Sequence, residues 1–298
     1  MFDNIITMLV NNTAYFYATV IVFSLIVGSF LNVVIHRLPI MMEKQWLCEC
    51  RQYLGDELKT PDKPTEPEAV YNLSLPRSAC PKCGHKITAL ENVPLLSWLL
   101  LRGKCSHCTN PISIRYPLVE LLTAVLSVVI ANHFGPTPVL LGYLLLTWGL
   151  IALTFIDLDT MLLPDQITLA LLWLGLLISV WGLGISPTEA IIGACVGYLS
   201  LWSVYWLFKL VTGKEGMGFG DFKLLAVFGA WLGWQSILLI VLLSSFVGAA
   251  FGLFIIYQQK KGKNTPIPFG PYIAIAGWIT ILWGEPIIDF YLQQFVYH

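Results

Sequence analysis

Eight apolar stretches, at roughly 14–35, 117–134, 138–156, 167–184, 188–210, 222–234, 235–257 and 268–284, divide this 298-residue chain. A backbone inside a bilayer must satisfy its polar groups internally, so such stretches fold as helices. The composition agrees, with 56% hydrophobic side chains, 12% charged ones and a mean hydropathy of +0.72. The fold expected is an all-α polytopic membrane protein with about eight transmembrane helices. A spanning helix needs about 20 residues, so the sixth segment is short, and its boundary with the seventh falls at Gly233 and Trp234. No Lys or Arg precedes the first segment and no small-residue cleavage site follows it, which suggests a retained helix rather than a signal peptide.

The basic residues orient these helices. Eleven of the 17 Lys and Arg lie between Arg37 and Arg115, three more are Lys209, Lys214 and Lys223, and the last three are Lys260, Lys261 and Lys263. With eight crossings all 17 fall on one side, which the positive-inside rule makes the cytoplasm. Both termini then face outward. The alternative is an accident of loop composition. The net charge of −1 marks no nucleic-acid partner, and the bilayer is the expected environment.

Three regions follow: a first transmembrane helix at 1–36, a cytoplasmic loop domain at 37–116 and a membrane-embedded region at 117–298. The loop domain opens with a polar stretch at 41–70, whose part DELKTPDKPTEPEA at 56–69 reads as an irregular connector. It then carries Cys80 and Cys83 in one CxxC, and Cys105 and Cys108 in another, with 21 residues between the pairs. Two such pairs suit a four-thiolate zinc site. Disulfides, a redox role and replacement of one thiolate by His85 are the competing readings. A closed shell of four cysteines makes the zinc structural, since a catalytic zinc keeps a position open. Cys48 and Cys50 lie too far upstream to assign, and Cys195 falls in a membrane segment.

Carboxylates in or beside membrane segments are costly and therefore candidates for chemistry. They are Glu120, then Asp157, Asp159 and Asp165 in TFIDLDTMLLPD, and Asp221 in GMGFGDFKLLA. The third segment runs inward and ends at Asp157, and the sixth runs outward from Asp221, so both acids sit at the cytoplasmic level. Two adjoining carboxylates share one proton and can hold a water between them. The ionised member then takes a proton from that water and the neutral one polarises a scissile carbonyl, which is aspartic proteolysis. Glycines at 216, 218 and 220 would permit unusual dihedral angles and close approach by an extended peptide. The plainer alternative is that Asp221 caps a helix and that Asp157 and Asp159 face water at an interface.

GFGD at 218–221 resembles the GxGD motif of intramembrane aspartyl proteases, and FIDLDTMLLPD at 155–165 resembles the partner motif of the bacterial prepilin peptidases. GSFLNVVIHRLP at 28–39, the paired CxxC loop, RYPLVELLTA at 115–124 and PFGPYIAIAG at 268–277 extend the resemblance over nearly the whole chain. It implies a bifunctional inner-membrane enzyme that cleaves the basic leader of type IV prepilins or type II secretion pseudopilins. The same enzyme would N-methylate the new amino terminus with S-adenosylmethionine. The match places the catalytic aspartates at Asp157 and Asp221, with Asp159 and Asp165 off the matched positions. Glu91 and Gly103 are implied contributors to methylation. No glycine-rich nucleotide-binding turn is visible, so the methyl donor rests on resemblance alone. Glu215 would attract a basic leader. A transporter, a non-catalytic scaffold and a methyltransferase without protease activity are the rival readings.

Overall fold

The computed structural model describes residues 10–54, 70–258 and 268–295. Among them the named elements are helices: α1 (Thr13–Leu54), a 3-10 turn (Leu90–Asn92), α2 (Leu96–Leu100), α3 (Arg115–Phe134), α4 (Pro138–Thr160), α5 (Asp165–Val180), α6 (Pro187–Thr212), α7 (Phe219–Leu232), α8 (Gln235–Gln258) and α9 (Gly270–Phe295). The described residues contain two isolated β-bridges and no sheet. Helices occupy all eight apolar segments, and five of them (α1, α3, α4, α6 and α9) are long and apolar enough to cross a membrane. The chain is thus a multi-pass helical membrane protein.

Of the remaining three helices, α8 has 24 residues and α5 only 16. α7 has 14 residues, about 21 Å at 1.5 Å per residue against a hydrocarbon core of about 30 Å. Glycine ends it on both sides: Gly218 is its extended N-cap, and Gly233 closes it at φ +80°, donating its N–H to the Gly229 carbonyl. That backbone conformation strains any L side chain. The break between the sixth and seventh helices falls at Gly233 and Trp234, where the sequence places it.

α1 is longer than its apolar segment. It continues through Pro39 to Leu54, so the boundary expected at residue 36 lies inside a helix. Residues 40–54 contain no glycine or proline, and ten of the fifteen are Met, Glu, Gln, Leu, Lys or Arg, which propagate helix well even when exposed. Cys48 and Cys50 lie on this exposed extension. The connector at 56–69, and Lys260, Lys261 and Lys263, lie outside the described residues.

Compactness divides the chain into residues 18–126 and residues 1–17 with 127–298. In the second unit α7 is the buried centre, packed against α5, α6, α8 and α9. Phe222, Leu224, Leu225, Val227 and Phe228 are fully buried. α6 begins at a capping box, in which Ser186 and Glu189 bond each other's backbone N–H, with Pro187 at the first helical position. It meets α7 backbone to backbone. A Cβ on Gly193 would strike the Gly229 carbonyl oxygen, and one on Gly197 would lie 2.6 Å from the Leu225 carbonyl oxygen. Small residues four apart permit this approach between membrane helices. On its other side α7 is tied to α5 by the Trp231 indole, whose Nε1–H donates to the Leu171 carbonyl at 2.9 Å.

Candidate active site

Asp157 lies in the last turn of α4 and Asp221 in the first turn of α7. α4 stops there because Met161 turns left-handed at φ 55°, and its N–H closes the helix on the Asp157 carbonyl at 2.9 Å. Both aspartates are buried, at 4% and 7% exposure. The start of α7, at Gly220, and Gly270 beside Asp157 both face Leu163. Asp221 is not the N-cap, since Gly218 holds that position; as the third residue of α7 its carboxylate accepts the Gly218 backbone N–H.

Leu163 and two glycines complete this junction. A Cβ on Gly220 would lie 2.7 Å from the Leu163 Cβ. On Gly270 it would lie 2.6 Å from Asp157 Oδ2 and 3.1 Å from Leu163 Cδ1. Gly270, the first residue of α9, donates its backbone N–H to Asp157 Oδ2 at 3.1 Å. The block PFGP at 268–271 therefore supplies a partner to Asp157, a role that sequence reading left unassigned. The glycines before Asp221 act differently from expectation. None of Gly216, Gly218 and Gly220 has positive φ, and Gly220 serves close packing, not an unusual dihedral angle.

The other carboxylates separate from this pair. Asp159 is exposed on α4. Asp165 accepts two hydrogen bonds from Lys223 Nζ, at 2.6 and 2.7 Å, joining the starts of α5 and α7. Glu215, expected to attract a basic leader, is bonded by Lys209 Nζ at 2.8 Å, which holds its carboxyl below the usual range. The two charges offset each other locally.

In the 18–126 unit the four cysteines meet. The Sγ atoms of Cys80, Cys83, Cys105 and Cys108 lie within 4.8 Å of one another, a cluster able to hold a metal ion. The two CxxC turns repeat one design. Cys80 and Cys105 each donate their N–H to the carbonyl five residues on, at His85 and Asn110, and each accepts from the N–H four residues on, at Gly84 and Thr109. Both of those fourth residues are left-handed, at φ 70° and 54°. The Cys80 thiol is drawn down to about 6 by the Cys83 and Lys82 backbone N–H groups. Cys83 feels the opposing pull of the His85 N–H, yet burial and the neighbouring sulfurs push it up to about 12. His85 is not a fourth-ligand substitute: its Nε2 faces Glu91 at 3.2 Å.

Glu91 braces the two turns. It accepts from the Ser106 hydroxyl, from the Thr88 N–H and hydroxyl at 2.8 Å each, and from His85. The Ser106 bond and these others hold its carboxyl down at about 2. Gly103, at φ 68°, lies beneath the Trp98 ring, where a Cβ would come within 3.0 Å. Glu120 is buried on α3, and its Oε2 accepts the Leu95 N–H at 2.8 Å.

Comparison with known proteins agrees with this geometry in both parts of the chain. Residues 22–134 match the Bacterial Peptidase A24 N-terminal domain, and residues 144–253 match the Type IV leader peptidase family. A protein of Aeromonas hydrophila named prepilin leader peptidase/N-methyltransferase is 59% identical over 94% of this chain and 95% of its own length. Proteins of the same name are 58% identical in Pseudomonas aeruginosa, over 93% and 94%, and 56% identical in Stutzerimonas stutzeri, over 97% and 98%. No solved structure matches the chain. Identity at this level, running through the aspartate-bearing and the cysteine-bearing regions alike, means that the chain belongs to the type IV leader peptidase family, that of the prepilin leader peptidase/N-methyltransferases.

Proposed function

We propose that this protein removes the N-terminal leader of type IV prepilins or type II secretion pseudopilins and N-methylates the amino terminus that cleavage exposes. It works at the cytoplasmic face of the bacterial inner membrane, with both termini in the periplasm. The observation that supports cleavage is that Asp157 and Asp221, 64 positions apart in sequence, are both buried at helix ends beside Leu163. Asp157 and Asp221 are the catalytic pair. With one proton shared between them they hold a water. The charged member takes a proton from that water as it attacks the scissile carbonyl, and the neutral member donates a hydrogen bond to the carbonyl oxygen. Gly270 fixes the Asp157 carboxyl through its N–H.

The functional regions are those of the sequence: a crossing helix at 1–36, a zinc-bearing domain at 37–116 and the protease region at 117–298. Zinc suits the four thiolates. Zn–S bonds of about 2.3 Å put tetrahedral sulfurs about 3.8 Å apart, and Cys80 and Cys108 lie 3.7 Å apart. All four positions being thiolate, the zinc is structural. S-adenosylmethionine is the methyl donor, with Glu91 and Gly103 contributing by holding the cysteine turns and the Trp98 ring in place.

The test incubates wild type, Asp157→Ala and Asp221→Ala in detergent with a prepilin, and follows leader removal and methylation separately by mass spectrometry. Either substitution abolishes cleavage while a pre-cleaved substrate is still methylated. Normal cleavage by both variants would remove the aspartate pair from the mechanism.

A further inference from the structure

The 18–126 unit contains a cavity of about 660 Å³, walled by α1, the cysteine turns, Trp98 and the start of α3. That size suits a small-molecule site. The geometry points to this cavity as the methyl-transfer chamber, with the Glu120 carboxylate facing the positive charge of the sulfonium donor. The inference rests on the methylation reading above.

The charge on the cavity wall is unusual. Glu120 is buried, and its described hydrogen-bond partners, the Leu95 N–H and the Ser29 hydroxyl, are both neutral. A buried carboxylate lacking a cation is costly unless one arrives with the ligand. Opposite in sign, Arg37 is also buried on the wall. It spends one donor on the Asn72 carbonyl at 2.9 Å and one on the Pro76 carbonyl at 2.6 Å. A guanidinium has five donors, so others remain for a ligand carboxylate. The Trp98 indole adds a flat apolar surface, anchored by its Nε1–H on the Ile112 carbonyl at 3.3 Å and by contact with Gly103. A buried anion, a buried guanidinium and an indole suit a ligand with a cationic centre, a carboxylate and an aromatic base. S-adenosylmethionine has all three.

The reaction keeps a positive charge in front of Glu120. The substrate ammonium first loses a proton to solvent. Its nitrogen lone pair then forms the N–C bond to the methyl carbon while the C–S bond breaks, its electron pair going to sulfur. The charge thereby moves from sulfur to nitrogen and leaves a neutral thioether. Glu120 therefore discriminates donor from spent donor. Gly103 is a positioning residue acting through Trp98.

The test measures binding to the full-length protein in detergent by equilibrium dialysis, using S-adenosylmethionine and S-adenosylhomocysteine in parallel. Glu120→Gln weakens the first by tenfold or more and the second by less than threefold, whereas a merely structural role would weaken both alike. Trp98→Ala weakens both together. Ultraviolet cross-linking of labelled S-adenosylmethionine to the wild type, mapped by peptide mass, needs no variant and places label on cavity-lining peptides within residues 29–120. Label confined to residues 127–298, or equal loss of both ligands in Glu120→Gln with cleavage intact, overturns the chamber while leaving methylation standing. A wild type that cleaves but neither binds the donor nor methylates overturns the methylation reading itself, and the chamber with it.

Discussion

Gly270 shows how much of the site rests on an absent side chain. Its N–H reaches Asp157 only because nothing occupies the space where a Cβ would come within 2.6 Å of Oδ2. Displacing a reacting group by about 1 Å costs on the order of 100-fold in rate. Gly270→Ala should therefore lower kcat for leader removal by one to two orders of magnitude, while methylation of a pre-cleaved substrate, followed in the same sample, stays near wild type. Asp165 gives the opposite expectation. Its carboxylate is half exposed and engaged with Lys223, and ion pairs of this kind are worth about 0–1 kcal/mol. Asp165→Asn should keep cleavage within roughly fivefold of wild type. Loss of all activity there would mean that Asp165 carries chemistry assigned here to Asp157.

At the scale of elements, the proposed catalytic pair depends on where α7 lies, and α7 is located by bare backbone. Gly193 and Gly229 touch with no side chain between them, and Trp231 pins the far face to α5. Gly193→Leu must force α6 away from α7. Overpacking costs roughly 1–3 kcal/mol, so the midpoint of thermal unfolding in detergent should fall and cleavage with it. Binding of the methyl donor should be spared, since α6 and α7 lie outside the 18–126 unit. The cysteine turns predict the reverse pattern. Stripping metal with a chelator, checked by zinc content, should loosen the turns that carry Cys80 and Cys105 on the cavity wall. Donor binding and methylation should then fall by at least tenfold, with cleavage retained.

For the whole molecule, the placement of charge yields a topology that can be measured. With eight crossings the basic residues share one face, and the outer connections around Gly135 and Gly184 carry none. Single cysteines introduced at Ser186 and at Lys214, in a background lacking the seven native ones, should label oppositely with a membrane-impermeant thiol reagent added to intact cells. Ser186→Cys should react and Lys214→Cys should not. Labelling of both would mean that α6, the helix between them, does not cross, and labelling of Lys214→Cys alone would mean that the short α5 does not.

Much of this organisation is legible in the linear chain. Apolar stretches specify helices because a bilayer leaves the backbone no other partner, and two CxxC pairs specify a thiolate cluster because each short turn presents two sulfurs. The aspartates are also visible, since a carboxylate in such surroundings is costly enough to need a reason. What the chain does not display is what long-range packing decides. The Gly270 N–H on Asp157, the Lys223 grip on Asp165 and the Glu91 brace between the cysteine turns each join residues whose spacing has no local signature. The extension of α1 to Leu54 could be anticipated from the absence of glycine and proline, but the pull of polar composition towards a loop reading hides it. Sequence by itself thus determined which groups exist and which segments are apolar helices, because solvation acts on each segment separately. Tertiary structure alone decided which groups meet, because contact between distant segments depends on the packing of every helix between them.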